Sequence, residues 1–157
     1  MYIFTFLIIF LSNFLLSAQL VDENTSTIKI ITETKLPDGT IYQSFKVRGG
    51  SRHNTGKYAT NTCSGHRVFK EEKLLELRNI CEFDVNDGHK YWSKAERSQS
   101  DVEVGVGKSI ILDGTGPYKA MKGAQCLYAL SFHQELAFTN IKCDISDALF
   151  NKLKEFE

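Results

Sequence analysis

The sequence predicts an all-β fold: an eight-stranded antiparallel β-barrel with a short C-terminal α-helix. Three observations carry this. Segments in which apolar and polar residues alternate with a period of two recur from Ile28 to Asp144. The connections between them are tight, with turn signals such as Pro37-Asp38-Gly39 and Asn86-Asp87-Gly88. No strand–helix–strand spacing occurs, which excludes a parallel sheet. Closure into a barrel leaves no exposed edge, so it is the economical arrangement; a two-sheet sandwich is the alternative that strand counting leaves open.

Met1 to Leu16 is almost wholly apolar, interrupted only by Thr5, Ser12 and Asn13, and has no charged side chain. Ser17-Ala18 supplies small residues before a polar run, the layout of a signal peptide over 1–18 cleaved after Ala18. The n-region has no Lys or Arg, and a retained anchor helix is the alternative. Residues 19–27 read as a flexible, polar lead-in containing the sequon Asn24-Thr25-Ser26, expected to be unmodified. A single barrel domain follows over 28–157.

The first two strands are Ile28 to Lys35 and Thr40 to Arg48, paired as a hairpin about Pro37-Asp38-Gly39. Gly49 to Asn54 reads as a loop, and Lys57 to Ser64 as a third strand. Lys70-Glu71-Glu72-Lys73 is a solvated turn. The clearest strand of the first half is next: Leu75, Leu77, Cys81, Phe83 and Val85 alternate with Glu76, Arg78, Glu82 and Asp84. That is one wet and one dry face, with Asn79 the single polar residue on the dry one. In His89 to Arg97, Tyr91, Ser93 and Ala95 share a face opposite Trp92. Val102, Val104 and Val106 form the apolar face of a strand leading to Ile110–Leu112. Asp113 to Gly123 holds Gly114, Gly116 and Gly123 with Pro117, and reads as a barrel corner that passes directly into the next strand. There Cys126, Tyr128, Leu130 and Phe132 share a face, and Ala137, Ile141 and Cys143 continue it over Leu136 to Asp144. Finally the period changes. Ile145, Leu149, Leu153 and Phe156 recur at helical spacing, predicting an amphipathic helix over 146–156 docked across a barrel end.

Cys63, Cys81, Cys126 and Cys143 read as disulfides of an exported chain. Cys63 and Cys81 are equidistant from the charged turn, and Cys126 and Cys143 from Gln134-Glu135. Each pair therefore suits a cross-strand bridge within its own hairpin. The second register also sets Phe132 opposite Ala137 and Tyr128 opposite Ile141. The first is less clean, because it sets Arg67 opposite Leu77. Three connectivities remain open on spacing alone.

Lys plus Arg and Asp plus Glu are 19 each in 157 residues, so the net charge is zero. That balance argues against nucleic-acid binding and against a polybasic membrane surface; membrane contact is expected only through an uncleaved signal segment. His53, His66, His89 and His133 are scattered, read as surface or loop residues, and together with the cysteines imply no metal site. No cofactor motif and no nucleophile context of the Gly-x-Ser-x-Gly kind is present. Gly114-Thr115-Gly116 does not precede a helix pattern, so it is not a phosphate cradle.

Gly114-Thr115-Gly116-x-Tyr118 with Gly123 resembles the glycine corner of the allene oxide cyclase and dirigent proteins, and similar stretches occur in small exported bacterial proteins. The resemblance covers about a dozen residues and implies an eight-stranded calycin-like barrel. Pro117 and Ala120 depart from its usual pattern, and no catalytic position of those families is matched. Asn79, Tyr91, Lys108 and Tyr128 are the ligand-binding candidates by strand parity. The expected function is a non-enzymatic exported barrel, taking a small apolar ligand or serving as an interaction module. The alternative is an isomerase or cyclase acting on a small apolar substrate inside the barrel.

Overall fold

The computed structural model describes residues 17–101 and 104–155. The strands are β1 (Ser17–Lys35), β2 (Ile41–His53), β3 (Tyr58–Lys70), β4 (Lys73–Val85), β5 (Lys90–Arg97), the two-residue β6 (Ser100–Asp101), β7 (Val104–Gly114), β8 (Gln125–His133) and β9 (Leu136–Ser146). A 3-10 helix, Gly116–Met121, joins β7 to β8, and α1 spans Asp147–Glu155. The order β3-β2-β1-β9-β8-β7-β5-β4 returns to β3, and every pairing is antiparallel. Eight long strands thus close an up-and-down barrel, with β6 an appendage on β4. Among the described residues no helix is long and apolar enough to cross a membrane.

The turns obey the local chemistry. Glu71 and Glu72 both take positive φ, 49° and 65°, in the tight turn between β3 and β4. Such a turn matches the strand twist, and its strain is tolerated because both side chains are solvated. Disulfides join Cys63 to Cys81 and Cys126 to Cys143, each between directly opposed residues. Phe132 faces Ala137 and Tyr128 faces Ile141, as the spacing predicts. Arg67 does face Leu77, and a bulge after Val68 then sets Phe69 opposite Leu74.

Four expectations are corrected. Residues 19–27 are not a lead-in: they lie in β1, paired with β2 on one side and β9 on the other, with Asp22, Asn24 and Ser26 buried. A polar run reads as a tail, yet its period of two points every second side chain into the barrel. Asn24 donates to Asn61 Oδ1 at 2.8 Å, so the sequon asparagine is an interior residue. Gly49 to His53 is strand rather than loop; a Cβ on Gly49 would lie 2.5 Å from that of Ser26, so glycine permits β1 and β2 to stay paired there. The stretch after Gly114 does contain a helix, the 3-10 turn, whose Tyr118 and Met121 are almost fully buried. Together with Leu153 of α1 they plug one end of the barrel. Lastly, Val104 and Val106 face outward, at 58% and 65% exposure, and Gly105 and Gly107 take the inner positions.

The two glycines make room for large neighbours. A Cβ at Gly107 would meet Tyr128 Cζ at 2.3 Å, and one at Gly105 would meet Arg97 Nη1 at 2.7 Å. Gly107→Ala is therefore expected to lose about 1–3 kcal/mol in urea unfolding by overpacking. Tyr128→Leu should relieve most of that loss, giving a strongly non-additive double-mutant cycle. An additive cycle would show that the ring is not what Gly107 accommodates.

The predicted helix over 146–156 is observed as α1; Phe156, Val102 and residues 1–16 of the signal peptide expected over 1–18 lie outside the described residues. Ser146 Oγ accepts from the Leu149 N–H at 3.3 Å, capping the first turn, and Asp147 there suits the helix dipole. The expected cleavage point after Ala18 falls inside β1, where Ala18 pairs with Ile145.

Candidate functional site

Two polar clusters occupy the interior, at different heights. The first surrounds a cavity of about 100 Å³ in the half of the barrel away from the plug. Its apolar wall includes Leu77, Leu130 and Phe132, and its polar wall Asn79, Ser93, Ser109, Tyr128, Arg67 and Arg97. Arg97 ends β5 on the same face as Tyr91, Ser93 and Ala95 and is only 5% exposed. Arg67 reaches the cavity from β3; its Nε donates to Gln43 Oε1 at 2.7 Å, and Gln43 in turn donates to Glu33. The Phe69 ring lies under the Arg67 guanidinium, 5.5 Å away.

Burial is the main force on these groups. It pushes Arg67 below its ordinary value, the nearby Arg97 charge adds to that, and Glu33 opposes. It likewise lowers Arg97. Tyr128 is pushed up by burial, with the Arg97 charge opposing. Its hydroxyl is buried and has no hydrogen-bond partner among the described residues. Among the described residues no aspartate or glutamate lines the cavity, and its lining combines two guanidinium groups with hydroxyls, the amides of Asn24, Asn61 and Asn79, and hydrocarbon.

The second cluster lies by the plug. Tyr91 donates its hydroxyl to Asp22 Oδ2 at 3.2 Å and sits 3.2 Å from His53 Nε2, which is itself 3.7 Å from Asp22 Oδ2. Phe83 stacks on Tyr91 at 4.5 Å between centroids, and Tyr118 at 5.5 Å on the plug side. Asp22 is raised, chiefly by burial, against the opposing His53 charge and hydrogen bonds; His53 is lowered by burial, against Asp22 and Asp87. Both are driven towards their neutral forms. The trio does not line the cavity, and among the described residues it has no third ligand with which to hold a metal.

The signs give a pH test. A histidine lowered from 6.5 makes the native state bind fewer protons than the unfolded chain, so its stability contribution is lost as pH falls below 6.5. A carboxyl raised from 3.8 acts oppositely, its contribution being lost as pH rises through the window above 3.8. Between pH 7 and 5.5 the difference between the wild-type and His53→Gln unfolding slopes is expected to be at most about 1.4 kcal/mol per pH unit. In His53→Gln the contribution of Asp22 keeps its opposite sign, favouring the folded chain on acidification wherever the buried carboxyl takes up its proton. Equal slopes in the two proteins would mean that His53 is not shifted.

Of the four residues expected by parity, Asn79 and Tyr128 meet in the cavity. Tyr91 belongs to the cluster by the plug, and Lys108 is on the outer wall, because β7 turns its glycines inward. His66 and His133 are exposed and His89 is half-buried, but His53 is buried at 1%, contrary to the surface or loop position expected of it. Arg67 and Arg97 were not anticipated. Both had a signal: Arg67 is the residue that spoils the register of the first hairpin, and Arg97 continues the parity of Tyr91, Ser93 and Ala95. Asp22 gave none beyond the alternation of a polar run. Comparison with protein-family models, curated proteins and solved structures finds no match.

Proposed function

We propose that this chain is an exported, non-enzymatic barrel that binds one small molecule in the open half of its interior. The observation that carries this is the cavity, where Asn79 and Tyr128 converge in a barrel otherwise packed and plugged at the other end. A small barrel accommodates one ligand in this way, with a few polar groups orienting it against an apolar wall. Export is supported by the two disulfides, which persist in oxidising compartments. The cyclase or isomerase reading, drawn from the resemblance of the Gly114–Gly123 corner, ranks second. Its best acid–base pair, Asp22 and His53, is outside the cavity.

Native mass spectrometry of the chain purified from its own source tests this. A copurifying small molecule is expected in the wild type and absent in Leu77→Trp, which fills the cavity. No adduct, together with no saturable binding of small amphipathic probes, would overturn the reading.

A further inference from the structure

We propose that the ligand is a small neutral molecule with a carbonyl or comparable oxygen acceptor, held by the Tyr128 hydroxyl, with its hydrocarbon part against Leu77, Leu130 and Phe132. This rests on the ligand-binding reading above and specifies its chemistry.

The first argument is a stranded donor. Tyr128 is 7% exposed and lines the cavity, and its hydroxyl has no hydrogen-bond partner among the described residues. A buried hydroxyl is ordinarily hydrogen-bonded, because leaving it unpaired forfeits the bonds it made to water. Gly107 lies opposite Tyr128 in the β7–β8 ladder, and a Cβ there would come within 2.4 Å of the hydroxyl oxygen. The backbone of β7 thus makes room for a hydroxyl that the described residues leave unsatisfied. Burial, against the opposing Arg97 charge, pushes this phenol above its ordinary value, so it stays protonated and able to donate at neutral pH.

The second argument is what the charged groups of the lining already do. Arg67 donates through Nε to Gln43 Oε1 at 2.7 Å and rests over the Phe69 ring, and Arg97 has an interaction of its own within the protein. Both cations are therefore engaged without a ligand, and the lining does not depend on an anionic one. Asn79, Ser93 and Ser109 on the same wall are uncharged. A neutral acceptor meets the stranded donor and brings no new charge to be compensated in a low-dielectric interior.

Size limits the rest of the molecule. An apolar cavity of roughly 150 Å³ holds benzene. A space of about 100 Å³ therefore suits a ligand of no more than about six non-hydrogen atoms, the acceptor included. A polyhydroxylated molecule of that size would leave its own hydroxyls against Leu77, Leu130 and Phe132.

NMR titration of the disulfide-intact protein with diethyl ketone, its methylene isostere and butanoate tests the assignment. The three have the same number of non-hydrogen atoms, and in the isostere a methylene group replaces the carbonyl oxygen. Diethyl ketone is expected to bind saturably and about three- to ten-fold more tightly than the isostere, the worth of one neutral hydrogen bond. Tyr128→Phe, which deletes only the hydroxyl, should bring the two to equal affinity, chiefly by weakening the ketone. A preference that survives in Tyr128→Phe would overturn the role of Tyr128. Equal affinities in the wild type would mean that the hydroxyl is satisfied without the ligand, which sinks the acceptor assignment and leaves the ligand-binding reading standing. Butanoate binding more tightly than diethyl ketone would overturn the neutral class. Binding of none of the three would overturn both readings.

Discussion

Tyr118→Ala is expected to lower the unfolding free energy by about 3–5 kcal/mol, the range for truncating a fully buried aromatic. Tyr118 is 1% exposed, stacks on Tyr91 and donates its hydroxyl to Asp87 Oδ2 at 3.2 Å. Burial, with Asp87 adding, pushes that hydroxyl well above the usual range, so it stays neutral and a donor at any physiological pH. Removing the ring opens the plugged end beside Asp22, His53 and Tyr91, whose neutral forms depend on dryness. Urea unfolding gives the size of the loss, and Tyr118→Phe separates its parts, since loss of the hydrogen bond alone costs about 1 kcal/mol. A loss below about 1 kcal/mol in Tyr118→Ala would show that the plug folds independently of the barrel. Gly114 belongs to the same construction: a Cβ there would lie 2.6 Å from the Tyr118 carbonyl. The glycine lets the 3-10 turn fold back against β7.

Removing either disulfide is expected to cost about 3 kcal/mol, from closing sequence separations of 18 and 17 residues in the chain-entropy account. The measurement is urea unfolding of the Cys63→Ala/Cys81→Ala and Cys126→Ala/Cys143→Ala proteins. The bridges lie on opposite walls: β2 and β1 separate them one way, β7 and β5 the other. Their losses should therefore add closely in the chain lacking both. A cost near zero for either pair would mean that its strands are held in register without the bond. Ligand binding supplies a second readout, because Cys63 and Cys81 line the cavity and Cys126 and Cys143 do not. Loss of the first bridge should weaken ligand binding more than loss of the second.

Most strand positions, the hairpin turns and a spacing of the cysteines that suits hairpin bridges follow from features a few residues apart. Alternation at Leu75 to Val85, the acidic turn at Glu71-Glu72 and the symmetric spacing of Cys126 and Cys143 about Gln134-Glu135 are local or nearly so. For that reason they were legible from the chain alone, as was the amphipathic period of Ile145 to Leu153. The interior was not. Asp22 and Asn24 read as a tail because polarity was taken to mean solvent, whereas this barrel points a polar ladder inward and satisfies part of it across strands.

The sequence by itself determined an all-β chain of eight antiparallel strands and its terminal helix, and the cysteine spacing suited the two hairpin bridges that the structure then selected from three connectivities. Only the tertiary structure decided which face of β7 turns inward, that Gly116–Met121 folds back as a plug, and that Arg67 and Arg97 share one cavity with Tyr128. The physical reason is closure. Parity tells which residues share a face of one strand, but the contents of a barrel come from eight strands at once. Whether a valine or a glycine is better inside depends on the ring or guanidinium arriving from the wall beside or opposite it.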